Sequence, residues 1–336
     1  MTARHDPHGH DAPAAMTGSP LTCFGVSESA TRLYFLDGNY QVNELALTAD
    51  GWDGGSLLVT TAPDSSLTCF GVGGKEPRVY YVDPDRRIIE LAWSPQNAWV
   101  SHVLPGEAAP DSPLSCFGQN GLYTLLYYVG TDRQVHELAW GGAFFDTPLL
   151  GPVAVGSGLT CHQDNQQHGR VFYVGGGDHL IHVLSWEADD WGDRQIEGTK
   201  PAPQSPLTCF GLDHGGASRV YYLDINGQIN EMAWTGDQMV NHPLGYEAAP
   251  GSSLTCFGVG GKYTRLYYLD GGGRINELAW SNGGWANHVR PGTASPESAL
   301  TCFGVNGTAT RLYYVDPDNR VNEMAWQANQ FVNSIL

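Results

Sequence analysis

The sequence predicts an all-β fold, a seven-bladed β-propeller with four antiparallel strands per blade. Three observations predict it. Seven cysteines stand at 23, 69, 116, 161, 209, 256 and 302, spaced 45 to 48 residues apart. Each lies in nearly the same phrase: Leu-Thr-Cys-Phe-Gly from 21, 67, 207, 254 and 300, Leu-Ser-Cys-Phe-Gly from 114, and Leu-Thr-Cys-His from 159. Each unit then divides into four short β-type runs separated by turn residues, with no helical period of apolar residues. Four strands in a unit of about 40–50 residues, repeated around a ring, is the pattern of a propeller.

Taken in order, Met1–Pro20 reads as a flexible arm, and residues 21–336 as a single domain whose repeats begin near 21, 67, 114, 159, 207, 254 and 300. The arm carries His5, His8 and His10, a weak metal-binding pattern better explained as a solvated tail. Its end, Ala12–Pro20, resembles the linkers before other copies, such as Ala108–Pro113. The sixth copy shows the four strands most plainly. Leu254–Val259 alternates and stops at Gly260-Gly261. Arg265–Asp270 is aromatic and ends at three glycines, Ile275–Trp280 ends at Ser-Asn-Gly-Gly, and Trp285–Arg290 ends at Pro291-Gly292. Turns such as Asp83-Pro84-Asp85, Asp224-Ile225-Asn226-Gly227 and Asp316-Pro317-Asp318 have hairpin chemistry. They lack the run of alternating carboxylates that a calcium loop needs. Each repeat reads as whole, so closure is expected to rest on packing of the first blade against the last.

Composition narrows function. The net charge is -18 with 15% charged residues, so phosphate-rich partners such as nucleic acid are disfavoured. No apolar run of about 20 residues is present to span a membrane. The arm has no apolar stretch of the secretory kind. The cysteine count is odd and follows the repeat, so the thiols read as small buried packing residues rather than disulfides. Without a Cys-x-x-Cys pair, zinc is not expected, and no cofactor is.

The chemistry repeats with the fold. The second strand carries Arg32, Arg78, Arg170, Arg219, Arg265 and Arg311, with Leu125 in copy three. The third carries Glu44, Glu90, Glu137, Glu231, Glu277 and Glu323, with Val183 in copy four. Three residues past the glutamate stands a tryptophan, Trp93, Trp140, Trp186, Trp234, Trp280 or Trp326, with Leu47 in copy one. A second ring follows at Trp52, Trp99, Phe145, Trp191, Trp285 and Phe331, with Met239 in copy five. Residues three apart on a strand face opposite sides. The glutamate of one blade therefore faces the tryptophan of a neighbour. A guanidinium, a carboxylate and an aromatic plate make a receptor for a neutral polyol with one apolar face. A structural ion pair with core tryptophans is the plainer reading. Yet exposed pairs contribute only about 0–1 kcal/mol, a weak reason to keep five complete ones.

The combined phrase Leu-Thr-Cys-Phe-Gly, Arg-Leu-Tyr-Tyr, Ile-Asn-Glu-x-x-Trp and Gly-Trp, as it stands in 254–285, resembles the repeat of fungal and bacterial fucose-binding lectins of the Aleuria aurantia type. The resemblance runs through all seven copies. It implies L-fucose between blades, held by Arg and Glu of one repeat and by aromatics of the next. Carried over, Arg32 and Glu44 work with Trp93 and Trp99, and Arg78 and Glu90 with Trp140 and Phe145. Arg219 and Glu231 work with Trp280 and Trp285, and Arg265 and Glu277 with Trp326 and Phe331. Arg311 and Glu323 wrap round to Leu47 and Trp52. The copies with Leu125 and Val183 are expected to be defective. The implied partners are fucosylated glycans or glycoproteins. Without a secretory segment, the protein is expected to be cytoplasmic, or released by a non-classical route to act on extracellular glycans.

Other readings are a protein-interaction scaffold, or a lectin for another neutral or O-methylated sugar. An enzyme is not expected. The carboxylates are spread one per blade, whereas glycosidases need a pair on one site, and no Gly-x-Ser-x-Gly or His-Glu-x-x-His occurs. His102, His242 and His288 recur at one strand position and read as structural.

Overall fold

The computed structural model describes residues 13–336, except 28–29, 120–122, 164–168, 188–189, 213–216, 236–237, 261–262, 282 and 306–308. The histidine-bearing arm lies outside the described residues, whereas Ala15 and Ser19 are buried and run into blade 1 as the other linkers do.

The described residues form seven four-stranded antiparallel sheets, each built from consecutive strands of one repeat. Blade 1 consists of an inner strand Leu21–Ser27, a second Ala30–Leu36, a third Gln41–Thr48 and an outer strand Gly51–Thr60. Inner strands of successive blades touch all round the ring, the seventh against the first. The second strands are buried because blades cover them on both sides; Leu266, Tyr267, Tyr268 and Leu269 are each under 4% exposed. One apolar cluster fills each of the seven joints between blades.

The repeated phrase acts at these joints. Thr22 meets the Cys69 thiol at 3.2 Å, Thr68 meets Cys116 at 3.3 Å, and the pattern continues until Thr301 meets Cys23 at 3.4 Å. Seven hydroxyl–thiol hydrogen bonds thus circle the axis. The cysteines pack against the joint clusters as expected, but half-buried rather than fully buried, and they are hydrogen-bonding residues besides. The glycine that follows makes room for a neighbour: a Cβ on Gly71 would lie 2.6 Å from the Phe24 ring.

A linker serine completes each blade. Ser19, Ser65, Ser112, Ser157, Ser205, Ser252 and Ser298 each accept the backbone N–H that ends the second strand, at 2.8–2.9 Å. The turn aspartates have an equally local task. Asp83 accepts N–H groups from Asp85 and Arg87, and Asp316 from Asp318 and Arg320. Among the described residues no strand is exchanged at the seam. Ala15 N–H donates to Asn319 across it, and Leu33, Phe35 and Tyr313 share its core.

Candidate functional site

Crevice one lies between blades 1 and 2, and so on to crevice seven between blades 7 and 1. Strand alternation and register assemble one wall. Arg32 and Tyr34 are two residues apart, so they share a face, and pairing sets Tyr34 opposite Glu44. The Tyr34 hydroxyl donates to Glu44 Oε1 at 2.9 Å, and Arg32 Nε lies 3.4 Å from the same oxygen. Crevice two repeats this with Tyr80, Glu90 and Arg78, at 2.8 and 3.8 Å. Crevice five does so with Tyr221, Glu231 and Arg219, at 2.7 and 3.5 Å. In crevice seven Tyr313 donates to Glu323 at 2.8 Å and Arg311 pairs with it. The arginine is braced from behind in crevice two, where Arg78 Nη1 donates to the Trp93 carbonyl at 3.0 Å.

The next blade supplies the other wall. Hairpin register pairs Trp93 with Trp99, Trp280 with Trp285, Trp326 with Phe331 and Leu47 with Trp52. Each pair therefore shares one face, and that face turns toward the preceding blade. Trp99 packs edge-on against Tyr34 at 6.1 Å, Trp285 against Tyr221 at 6.1 Å, and Trp52 against Tyr313 at 6.0 Å across the seam. The structure thus brings together the expected cross-blade partners of Glu44, Glu231 and Glu323. Trp140 and Trp326 lie more open, at 42% and 39% exposed.

One expected residue is misplaced. Phe145 is 62% exposed and pairs with Ala139. Phe144 pairs with Trp140 and packs against the cluster holding Tyr80. The hairpin of copy three is one residue shorter than that of copy six, so counting five from the tryptophan lands on the wrong face.

Crevices three, four and six depart from the set. In crevice three Glu137 keeps its tyrosine, Tyr127 at 2.8 Å, and that tyrosine packs edge-on against Trp191, but Leu125 replaces arginine. In crevice four the tyrosine has gone together with the carboxylate: Phe172 and Val183 stand in their places. His162 takes over a polar contact there, 2.6 Å from Ser218 Oγ of blade 5. Arg170 and Arg194 lie 5.4 and 5.0 Å from the Trp234 ring centroid. In crevice six Tyr267 and Arg265 hold Glu277 at 2.7 and 3.4 Å, and Trp326 and Phe331 stand opposite. Arg290, from the outer strand of blade 6, enters as well, 3.0 Å from Glu277 Oε1.

The electrostatics follow from burial. Desolvation pushes the Tyr34, Tyr80 and Tyr221 hydroxyls well above 10, so they remain donors to the carboxylates beside them. Burial also raises the Glu44 carboxyl, opposed by the Tyr34 hydroxyl and the Arg32 charge. In crevices one, two and five tyrosine and arginine both address Oε1, and Oε2 has no partner among the described residues. Each such crevice offers a free acceptor oxygen, guanidinium donors and an aromatic wall. The tyrosine escaped the sequence reading, although it stands two residues after the arginine in five copies. Its joint loss with glutamate in copy four was the signal. Among the described residues no group of three or more His, Cys, Asp or Glu is placed to hold a metal ion.

Known proteins resemble this chain in part of its sequence and in its fold. The profile of the fungal fucose-specific lectins matches residues 12–163. No curated protein sequence matches the chain. Among solved structures, the BP39L lectin of Burkholderia pseudomallei is similar at 16% identity and a TM-score of 0.75, over 95% of this chain and 98% of that one. The Aleuria aurantia lectin, a six-bladed propeller with its own mode of fucose recognition, is similar at 18% identity and a TM-score of 0.63, over 96% of this chain and 97% of that one. The lectin AofleA of Arthrobotrys oligospora is similar at 15% identity and a TM-score of 0.63, over 96% of this chain and 87% of that one. Residues 12–163 are thus similar in sequence to the fungal fucose-specific lectins, and the ring of blades is similar in fold to these propeller lectins.

Proposed function

We propose that this protein is a multivalent, non-catalytic lectin that takes L-fucose in the crevices between its blades. The observation that carries the reading is repetition. Five crevices hold an arginine, a glutamate and a supporting tyrosine on one wall, and four of these have an aromatic pair on the other; crevice seven offers Leu47 and Trp52. A 6-deoxy sugar matches such a wall chemically. Its hydroxyls donate to the open glutamate oxygen, the guanidinium donates to hydroxyl and ring oxygens, and its methyl and C–H face pack on the rings. No metal is needed for these contacts. A structure of the related lectin SapL1 contains α-methyl fucoside, which supports fucose over other neutral sugars. Several sites on a rigid ring give avidity for fucosylated cell-surface glycans far above that of one site.

The test is calorimetry with methyl α-L-fucoside, with and without chelator. The expected result is up to five equivalents bound, unchanged by chelator. Trp280→Ala should weaken the crevice of Glu231 from the neighbouring blade. Seven equivalent sites, a requirement for metal, or no retention on fucose resin would refute the reading.

A further inference from the structure

The sixth crevice carries the full set of residues, yet it differs from the other four in one side chain. The position two residues past the outer-strand partner of the glutamate is Leu57, Leu104, Leu149, Ile196, Leu244 or Leu336 in six copies. Each of these aliphatic residues packs into the core between its blade and the next. In copy six it is Arg290.

The guanidinium of Arg290 turns onto Glu277. Nη2 lies 3.0 Å from Oε1 and Nε donates to Oε2 at 3.2 Å, a fork across both oxygens. Tyr267 holds Oε2 and Arg265 holds Oε1, so neither oxygen is left open. The guanidinium also lies over the Phe331 ring of blade 7, 4.3 Å from its centroid. The Glu277 side chain is the most covered of the five, at 3% exposed, against 18% for Glu44, 14% for Glu231, 10% for Glu90 and 7% for Glu323. The hydroxyl acceptor and the aromatic wall are both engaged by the protein itself.

We propose that Arg290 is an intramolecular occupant of crevice six that excludes neutral sugar from it, leaving crevices one, two, five and seven to bind. The proposal rests on the fucose reading above. A sugar entering crevice six must first break a bidentate, largely covered ion pair and a cation–π contact. We expect its affinity there to fall at least about tenfold below crevice five, about 1.4 kcal/mol.

Crystals of the full chain soaked with methyl α-L-fucoside carry their own reference, because crevices five and six are read together. The wild type is expected to show sugar beside Glu231 and none beside Glu277. Arg290→Leu, a residue five other copies tolerate, should admit sugar beside Glu277 and raise the calorimetric stoichiometry by one. Arg290→Lys, which keeps the charge and loses the fork, should fall between. Equal occupancy at Glu231 and Glu277 in the wild type would overturn the role of Arg290 and leave the lectin reading standing. An empty crevice six in a folded Arg290→Leu protein with crevice five filled would also overturn it. Sugar in no crevice of either protein would instead bring down the fucose reading, and this proposal with it.

Discussion

Copy four loses its tyrosine hydroxyl and its carboxylate together, and this suggests a double-mutant cycle in crevice five. Tyr221 is fully buried, and its hydroxyl contacts Glu231 at 2.7 Å and Thr264 at 3.0 Å. Tyr221→Phe removes a hydrogen bond to a charged acceptor, about 1.5–3 kcal/mol, and a neutral one of about 1 kcal/mol. A destabilisation of about 2.5–4 kcal/mol is expected. Glu231→Val leaves the hydroxyl with Thr264 alone but also withdraws a carboxylate from a poorly solvated place, so about 1–2 kcal/mol is expected. The double variant recreates the pairing of Phe172 with Val183 and counts the shared bond once. It should be more stable than the sum of the singles implies by about 1.5–3 kcal/mol. Urea unfolding of the four proteins, followed by tryptophan fluorescence, measures this coupling. Additivity within about 0.5 kcal/mol would show that tyrosine and glutamate are independent and that their joint loss in copy four has another cause.

Three further outcomes follow from the fold. Desolvation pushes the Cys116 and Cys209 thiols from 9.0 up to about 12, which cuts the thiolate fraction near neutral pH about a thousandfold; a thiol reagent should leave the native protein nearly untouched and titrate all seven cysteines after denaturation. His182 bridges Asp193 and Asp178, and these partners raise its pKa against the opposing effect of burial. The stability it contributes is full below its unfolded pKa of about 6.5 and is lost as pH rises through the higher folded value, so His182→Gln should flatten the stability profile on that flank. Gly71→Ala drives a methyl group to 2.6 Å from Phe24 and should cost about 1–3 kcal/mol; Phe24→Leu in the same chain should recover part of it in thermal unfolding.

Much of the fold is legible in the sequence because a repeat prints its own boundaries. The cysteine phrase marks seven inner strands, and glycine and aspartate mark the turns. Seven closely similar copies leave little choice but a ring. The arginines and glutamates were legible for the same reason. What was hidden depends on register or on exceptions. Phe144 and Phe145 are adjacent aromatics, and only the length of the hairpin decides which one faces blade 2. The linker serine recurs in every copy, yet a small polar residue beside prolines reads as loop. Tyr221 and Tyr222 look alike, though one contacts Glu231 and the other Asn241. Arg290 stands in a strand that is otherwise conventional, and its meaning appears only when the opposite wall is in place.

The seam between blades 7 and 1 has a mechanical consequence. The other six joints combine packing with a peptide linker, whereas this one has the same kinds of contact and no covalent link. Because no strand crosses it among the described residues, opening it breaks no β-ladder there: what yields is apolar packing, the Thr301–Cys23 contact and a few linker hydrogen bonds. The ring is a split washer whose halves can part at one place while every blade stays intact. Under tension or heat the first breathing motion should occur there. Crevice seven, which straddles that split, should then be the one whose walls separate most readily, with Glu323 on one lip and Trp52 on the other.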